Sequence, residues 1–309
     1  MKILVTGGAG CLGSNIIEHL IPKGHKICVI DNLATGNKDL VSGIRNLNFF
    51  EFSIFEKDKL FNVFEEFLPD LVINSAASYK NPDNWIEDSN TNIIGSINLV
   101  DACKNFNVQR VINFQTALAY GIPKKIPIPI DHQLSPITSY GISKSAGENY
   151  FFSSGLEVLS LRISNVTGPR LSIGPIPTFY KRLKEGKSCF CTNTFRDFLD
   201  IDDFLNFIDL SMERNINGKF NVSSGRSNSI KDVFDHVANY LNINSENIDV
   251  PIIEPSADDI SKVILDPSDT KKQFDWEVKV SFGEMIKKQL QWYDKYGVDR
   301  IFSHLKNNG

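Results

Sequence analysis

A tyrosine and a lysine four residues apart on a helix form a pair that can move a proton, and the chain carries that spacing three times, at Tyr120/Lys124, Tyr140/Lys144 and Tyr180/Lys184. A phenol is a poor base at neutral pH. A neighbouring ammonium, together with the positive ring of an oxidised nicotinamide, favours the phenolate, which can take a proton from an alcohol while a hydride leaves the same carbon. Context selects among the three. Pro123 breaks the first spacing before a helix can form. The third lies late in the chain, beyond the regular alternation described below. The second opens a helical stretch, so Tyr140 and Lys144 share one face, one turn apart. Upstream, the strand-like run Arg110–Phe114 leads into Thr116, whose hydroxyl could orient the same oxygen. Thr116, Tyr140 and Lys144 are therefore the expected catalytic residues.

A departing hydride needs an acceptor, and the chain opens on a loop suited to one. Thr6-Gly7-Gly8-Ala9-Gly10-Cys11-Leu12-Gly13 joins an apolar run to a helical one. Glycines let backbone approach phosphate oxygens, and the helix N-terminus adds N–H donors and partial positive charge. Gly13 is expected to let that helix pack closely on the sheet. Asp31 ends the second predicted strand, about 20 residues on, where an acid binds the adenosine ribose. Its charge would repel the 2′-phosphate of NADP, and no arginine follows it closely, so NAD is the expected cofactor.

Lys2–Thr6, Lys26–Ile30, Leu47–Phe52, Leu71–Asn74, Arg110–Phe114 and Leu156–Arg162 read as strands. The segments after Gly13, Lys59–Phe67, Asn90–Phe106 and Tyr140–Ser153 read as helices. Strand–helix alternation implies a parallel sheet of doubly wound, Rossmann-type α/β architecture. After Arg162 the character changes to a smaller mixed α/β lobe. There Thr178–Glu185, Ile230–Leu241 and Phe282–Tyr296 read as helices and Cys189–Asp197 as a hairpin-like stretch.

Composition narrows the function further. The 309 residues carry a formal charge of −4, and no Lys/Arg block suggests nucleic acid as a partner. Five scattered cysteines lack zinc or redox spacing, so no metal is expected and reduced thiols suit a cytoplasmic protein. No apolar run is long enough for a membrane span. Met1-Lys2 precedes only four residues before the glycines, which reads as a buried strand rather than a signal peptide.

These motifs together resemble the extended short-chain dehydrogenases/reductases, and within them the nucleotide-sugar epimerase/dehydratase group. The markers are Thr6 to Gly13, Asp31-Asn32-Leu33, Ser75-Ala76-Ala77, Asn92-Ile93-Ile94-Gly95, Thr116 to Gly121, Tyr140-Gly141-Ile142-Ser143-Lys144, Asn165 to Arg170 and Arg196-Asp197-Phe198. The resemblance implies an NAD-binding lobe over residues 1–163, with 198–222 packing back on it. It implies a nucleotide-sugar lobe over 164–197 and 223–309. Gly7, Gly10, Cys11, Leu12 and Gly13 would line the pyrophosphate. Asp31 and Asn32, with Ala34, Thr35 and Gly36, would hold the adenosine ribose. Ser53 and Ile54 would reach the adenine, where many members place an Asp. Ala76 and Ala77 would lie along the cofactor, with Asn92 in support and Tyr140 and Lys144 at its reactive end. Thr116, Asn165, Arg196, Lys80 and Phe190 would meet the substrate, a nucleoside-diphosphate sugar, with a UDP-sugar expected. The resemblance also implies a homodimer built on Asn90–Phe106 and Tyr140–Ser153, with Ile94, Leu99 and Phe151 as apolar positions.

Two departures from that group bear on the reaction. Its 4,6-dehydratases and decarboxylases carry an acid just after the catalytic hydroxyl, where this chain has Ala117 and Leu118. A 4-epimerase is therefore the favoured expectation, and the resemblance of Gln115-Thr116-Ala117-Leu118 and Ser78-Tyr79-Lys80 to epimerase-like proteins of bacterial surface-polysaccharide clusters implies a role in that synthesis. A 4,6-dehydratase, a 4-keto reductase and a non-catalytic NAD sensor are the alternatives. A second phosphate-binding arginine is also missing, for Glu254-Pro255-Ser256-Ala257-Asp258-Asp259 stands near its expected place.

Overall fold

Short runs of buried aliphatic residues set the strands, and each is followed by a helix that covers the sheet. The computed structural model describes residues 1–79, 81–243, 250–256 and 259–298. The first elements are β1 (Lys2–Thr6), α1 (Cys11–Leu20), β2 (Lys26–Asp31), β3 (Leu47–Glu51), α2 (Lys57–Phe67) and β4 (Leu71–Asn74). Then come α3 (Trp85–Ser89), α4 (Gly95–Asn105), β5 (Arg110–Thr116), α5 (Ser139–Phe152) and β6 (Glu157–Ile163). A π-helical segment, Asn90–Ile94, joins α3 to α4.

The strands lie in the order β6, β5, β4, β1, β2, β3, with Gly218–Val222 beside β6. Pairing among β1–β6 is parallel throughout. The architecture is thus the Rossmann-type α/β sheet that the alternation implies. The order reverses between β1 and β4, where open α/β sheets bind ligands beyond their carboxyl ends. The glycine loop follows β1, and Thr116 is the last residue of β5. Leu4, Ile30, Val72, Val111 and Val158 of the strands pack with Leu60, Phe64, Leu99 and Phe151 of the helices. Leu99 and Phe151 are fully buried here, so of the three apolar positions named above only Ile94 is exposed, at 43%.

The chain divides into two compact units. The first holds residues 1–121, 133–163 and 208–220, and the second holds 122–132, 164–207 and 221–309. Arg110 ties the returning segment into the first unit. Its Nη2 donates to the carbonyls of Ser211, Arg214 and Ile216 at 3.0, 3.1 and 3.1 Å. The guanidinium thus meets one carbonyl in the last turn of the helix Ile201–Glu213 and two in the segment just after it.

In the second unit, Pro175–Lys184, Ile230–Tyr240 and Phe282–Tyr296 are helices. They bury Phe179, Phe234, Val237, Leu290 and Tyr293 together. Cys189–Asp197 is not a hairpin. Cys191–Thr192 pairs with Ile252–Ile253, while Phe195–Arg196 lies between Asn228–Ser229 and Lys262–Val263. The partners of these two-residue strands lie far away in sequence, where local patterning carries no signal. Among the described residues, no helix is long and apolar enough to cross a membrane.

Candidate active site

The glycine loop turns where only glycine fits. Gly7 has φ +67°, and a Cβ there would stand 2.8 Å from the Ala76 backbone. A Cβ on Gly13 would come within 2.4 Å of the Gly7 carbonyl oxygen. Gly13 therefore lets α1 sit against the loop itself, rather than simply against the sheet. Asp31, 8% exposed, accepts from the Ala9 N–H at 2.9 Å and the Leu33 N–H at 2.8 Å. Burial raises its pKa, and these two N–H donors oppose the rise. The carboxylate thus ties the glycine loop to the turn carrying Asn32, Ala34, Thr35 and Gly36. A cradle that side chains would fill, open backbone at a helix start and a fixed acid at the next strand end fit a dinucleotide.

Other expected cofactor residues have more structural duties. Cys11 and Leu12 open α1. Ser53 is buried, with its N–H donating to Glu56 Oε1 at 2.9 Å, and Ile54 is a core side chain. Asn92, 3% exposed, clamps the loop after β4. Its Oδ1 accepts from the Ser78 N–H at 3.0 Å, and its Nδ2 donates to the Ser78 carbonyl at 3.1 Å and to Ser143 Oγ at 3.0 Å. A π-helical segment often marks a functional site, and here it carries that side chain.

Tyr140 and Lys144 lie on α5, whose first turn is capped by Thr138, accepting from the Gly141 N–H at 3.1 Å. Burial pushes the Tyr140 phenol well above its ordinary pKa; Tyr79 adds to the rise and the Thr116 hydroxyl opposes it. Burial also pushes the Lys144 ammonium down to about 8, against the pull of Glu148. Lys144 is 6% exposed and no surface residue. Without the positive nicotinamide of a bound cofactor, desolvation favours the phenol over the phenolate.

Gln115 was missed by sequence reasoning. Its Oε1 accepts from the Thr116 N–H at 2.7 Å, and its Nε2 donates to the Lys144 carbonyl at 2.9 Å. One buried amide thus joins the strand carrying Thr116 to the helix carrying Lys144. Behind it runs a chain of buried polar groups. Thr6 Oγ1 donates to Asn74 Oδ1 at 2.7 Å, Asn74 Nδ2 to Asn113 Oδ1 at 3.0 Å and Asn113 Nδ2 to Ser160 Oγ at 3.3 Å. Ser160 Oγ donates to Glu148 Oε1 at 2.7 Å, and Arg162 Nη2 to Glu148 Oε2 at 2.9 Å. Polar residues at strand positions are the only sequence trace of this ladder.

The other two Tyr-x-x-x-Lys spacings serve packing. Tyr120 is fully buried and accepts from Arg162 at 3.1 Å. Tyr180 donates to Asp294 at 2.6 Å, beside Lys184.

Arg196 pairs with Asp259 and donates to the Phe195 carbonyl at 2.9 Å. Asn165 Nδ2 donates to the Asp197 carbonyl at 3.0 Å. Asp197 is fully buried, accepts from Ser224 and Gly225, and is pushed up to about 6 by desolvation. Phe190 is 54% exposed. Lys80 lies outside the described residues. Among the described residues, no group of three His, Cys, Asp or Glu could hold a metal ion.

The sequence pattern of the NAD dependent epimerase/dehydratase family matches residues 3–223. Among solved structures, the chain is similar to the Bordetella bronchiseptica enzyme WbmG in complex with NAD and UDP. The two are 54% identical over 99% of each chain, with a TM-score of 0.94. The UDP-glucose 4-epimerase of Thermotoga maritima, solved with UDP-glucose, is 31% identical over 96% of this chain and 99% of that one, with a TM-score of 0.88. The UDP-glucose 4-epimerase of Mycolicibacterium smegmatis is 26% identical over 95% of this chain and 98% of its own length.

Proposed function

Since the chain belongs to the NAD dependent epimerase/dehydratase family, we propose that it is a nucleotide-sugar 4-epimerase, acting on a UDP-sugar through a transient 4-keto sugar. Its cofactor is NAD. The observation that carries the reading is the buried Gln115 amide, which bonds the Thr116 N–H and the Lys144 carbonyl and so fixes β5 against the helix that carries Tyr140 and Lys144. An orienting hydroxyl and an acid–base phenol are thereby held in register, with Lys144 one turn along the same helix.

NAD, when bound, supplies a reversible hydride acceptor for the sugar C4. Tyr140 takes the C4 hydroxyl proton and later returns it. Thr116 holds the same oxygen, so the proton moves along a fixed line. Lys144 supplies the positive charge nearest in sequence to the developing phenolate, and Gln115 keeps its helix in register with Thr116. Ala117 and Leu118 offer no proton to a leaving water, which favours epimerisation over dehydration.

In the second unit, Arg196 would exchange Asp259 for the diphosphate, whose oxygens match its planar fork. Asn165 and Phe190 would contact the nucleotide, and Lys80 the sugar side. The UDP bound to WbmG and the UDP-glucose bound to the Thermotoga enzyme support the choice of base. We further propose a cytoplasmic homodimer serving bacterial surface-polysaccharide synthesis. Ile94, Ile142 and Tyr150, exposed by 43, 53 and 47%, would form its apolar contact.

The test is to mix the NAD-loaded protein with UDP-, dTDP- and GDP-sugars, following product mass and the proton coupling at C4. An unchanged mass with an altered coupling is expected. Loss of water would make it a dehydratase, and NAD binding without turnover of any sugar would overturn the catalytic reading.

A further inference from the structure

Arg196 lies on a strand of two residues, too short to hold its own direction. It stands opposite Asn228 on one side and Val263 on the other. Successive side chains of an extended segment point to opposite faces. The Arg196 side chain is 16% exposed, while Asp197, next to it, is fully inaccessible. Asp197 Oδ1 accepts from the Ser224 N–H at 3.0 Å and from Ser224 Oγ at 2.7 Å. Its Oδ2 accepts from the Gly225 N–H at 3.0 Å and the Leu265 N–H at 3.4 Å. Ser224 and Gly225 stand just before the strand Asn228–Ser229, and Leu265 just after the strand Lys262–Val263. One carboxylate therefore gathers both strands that flank Arg196.

The surroundings of the carboxylate are themselves fixed. Ser224 Oγ accepts from the Arg226 N–H at 3.1 Å, which closes the turn in front of Asn228. The Asp197 carbonyl accepts from the Asn165 N–H and from Asn165 Nδ2, both at 3.0 Å. Those two bonds belong to the main chain and survive a change of side chain. Desolvation pushes the Asp197 carboxyl up to about 6, and the bonds from Ser224, Gly225 and Leu265 oppose the rise. An asparagine of the same size would turn its NH₂ toward two of these donors, and so would release part of the flanking chain.

We infer that Asp197 is a positioning residue for Arg196, whose carboxylate locks the two segments beside the Arg196 strand and so sets the guanidinium where the diphosphate is to bind. The inference rests on the proposed function, in which Arg196 meets the diphosphate of a UDP-sugar. Asp197 touches no ligand. Its effect is confined to the part of the affinity that the diphosphate supplies.

The test is calorimetric titration of the NAD-loaded full-length protein and its variants with UDP and with uridine, which lacks the diphosphate. Asp197→Asn should weaken UDP binding by about tenfold and leave uridine binding at the level of the parent. Asp197→Asn combined with Arg196→Ala should bind UDP no more weakly than Arg196→Ala alone, because both changes act through one guanidinium. Equal losses of UDP and uridine affinity would overturn the inference, since a general loosening of the unit would weaken both. Additive effects of the two changes would overturn it too, as would an Asp197→Asn protein that binds UDP like the parent. If Asp197→Asn does not fold, Ser224→Ala decides. It removes only the hydroxyl donor and should weaken UDP binding by about fivefold, with uridine binding unchanged. UDP binding by Ser224→Ala equal to that of the parent would then overturn the inference. An Arg196→Ala protein that binds UDP as tightly as the parent would overturn the proposed role of Arg196 itself, and the inference with it.

Discussion

Held at 6% exposure, the Lys144 ammonium lowers the stability of the fold that it serves. The difference between 10.5 and about 8 corresponds to about 3 kcal/mol. The sign follows from proton binding. Below about pH 8 both states keep the proton and the whole cost is felt. Between about 8 and 10.5 the unfolded chain binds a proton that the folded one has shed, so stability rises with pH. Lys144→Met is therefore expected to raise the urea midpoint at pH 7, to lose most of that advantage above pH 10, and to abolish turnover. Denaturation curves at both pH values, with the sugar assay, check this. Tyr140→Phe should lower kcat by about 10²- to 10⁴-fold while NAD still binds, as measured by cofactor titration.

Elements are held in register by buried amides and one buried ion pair. Gln115 joins β5 to α5, and Gln115→Leu is expected to reduce kcat by more than tenfold with little change in KM, as steady-state kinetics will show. Glu148 and Arg162 are nearly inaccessible, with side chains 0% and 3% exposed. Glu148→Gln leaves a buried guanidinium short of its counter-charge and should cost about 3–5 kcal/mol in urea unfolding. Replacing both residues with methionine should recover much of that loss, because no charge then remains buried. Lys144 would also lose the Glu148 field, so its titration should move lower still.

At the scale of the molecule, the proposed roles give Arg196 the diphosphate and the glycine loop the dinucleotide. Arg196→Ala is expected to weaken UDP binding by at least tenfold and leave NAD binding unchanged, a separation that two calorimetric titrations will measure. Asp259→Asn should act in the opposite direction, tightening UDP binding, because in the proposed function the diphosphate would replace Asp259 at the Arg196 guanidinium, with which Asp259 is paired. Arg110 illustrates why this level was illegible in sequence. Nothing near residue 110 signals that its guanidinium will gather carbonyls around residues 211–216.

The sequence by itself determined the sheet, the glycine loop and the choice of Tyr140 over Tyr120 and Tyr180. These depend on local rules: aliphatic runs make strands, glycine permits positive φ, and a four-residue spacing aligns side chains on a helix. Apolar patterning also located the last helix, Phe282–Tyr296, to the residue. Only the tertiary structure decided which polar groups meet. The Gln115 bridge, the Asn92 clamp and the Thr6-to-Arg162 ladder join residues from different strands and helices. The same holds for the two-residue strands of the second unit, whose partners come from distant segments. The burial of Tyr140 and Lys144 was likewise hidden, because spacing places a lysine one turn from a phenol but says nothing of how much water either has lost. Desolvation is a property of everything packed around a group.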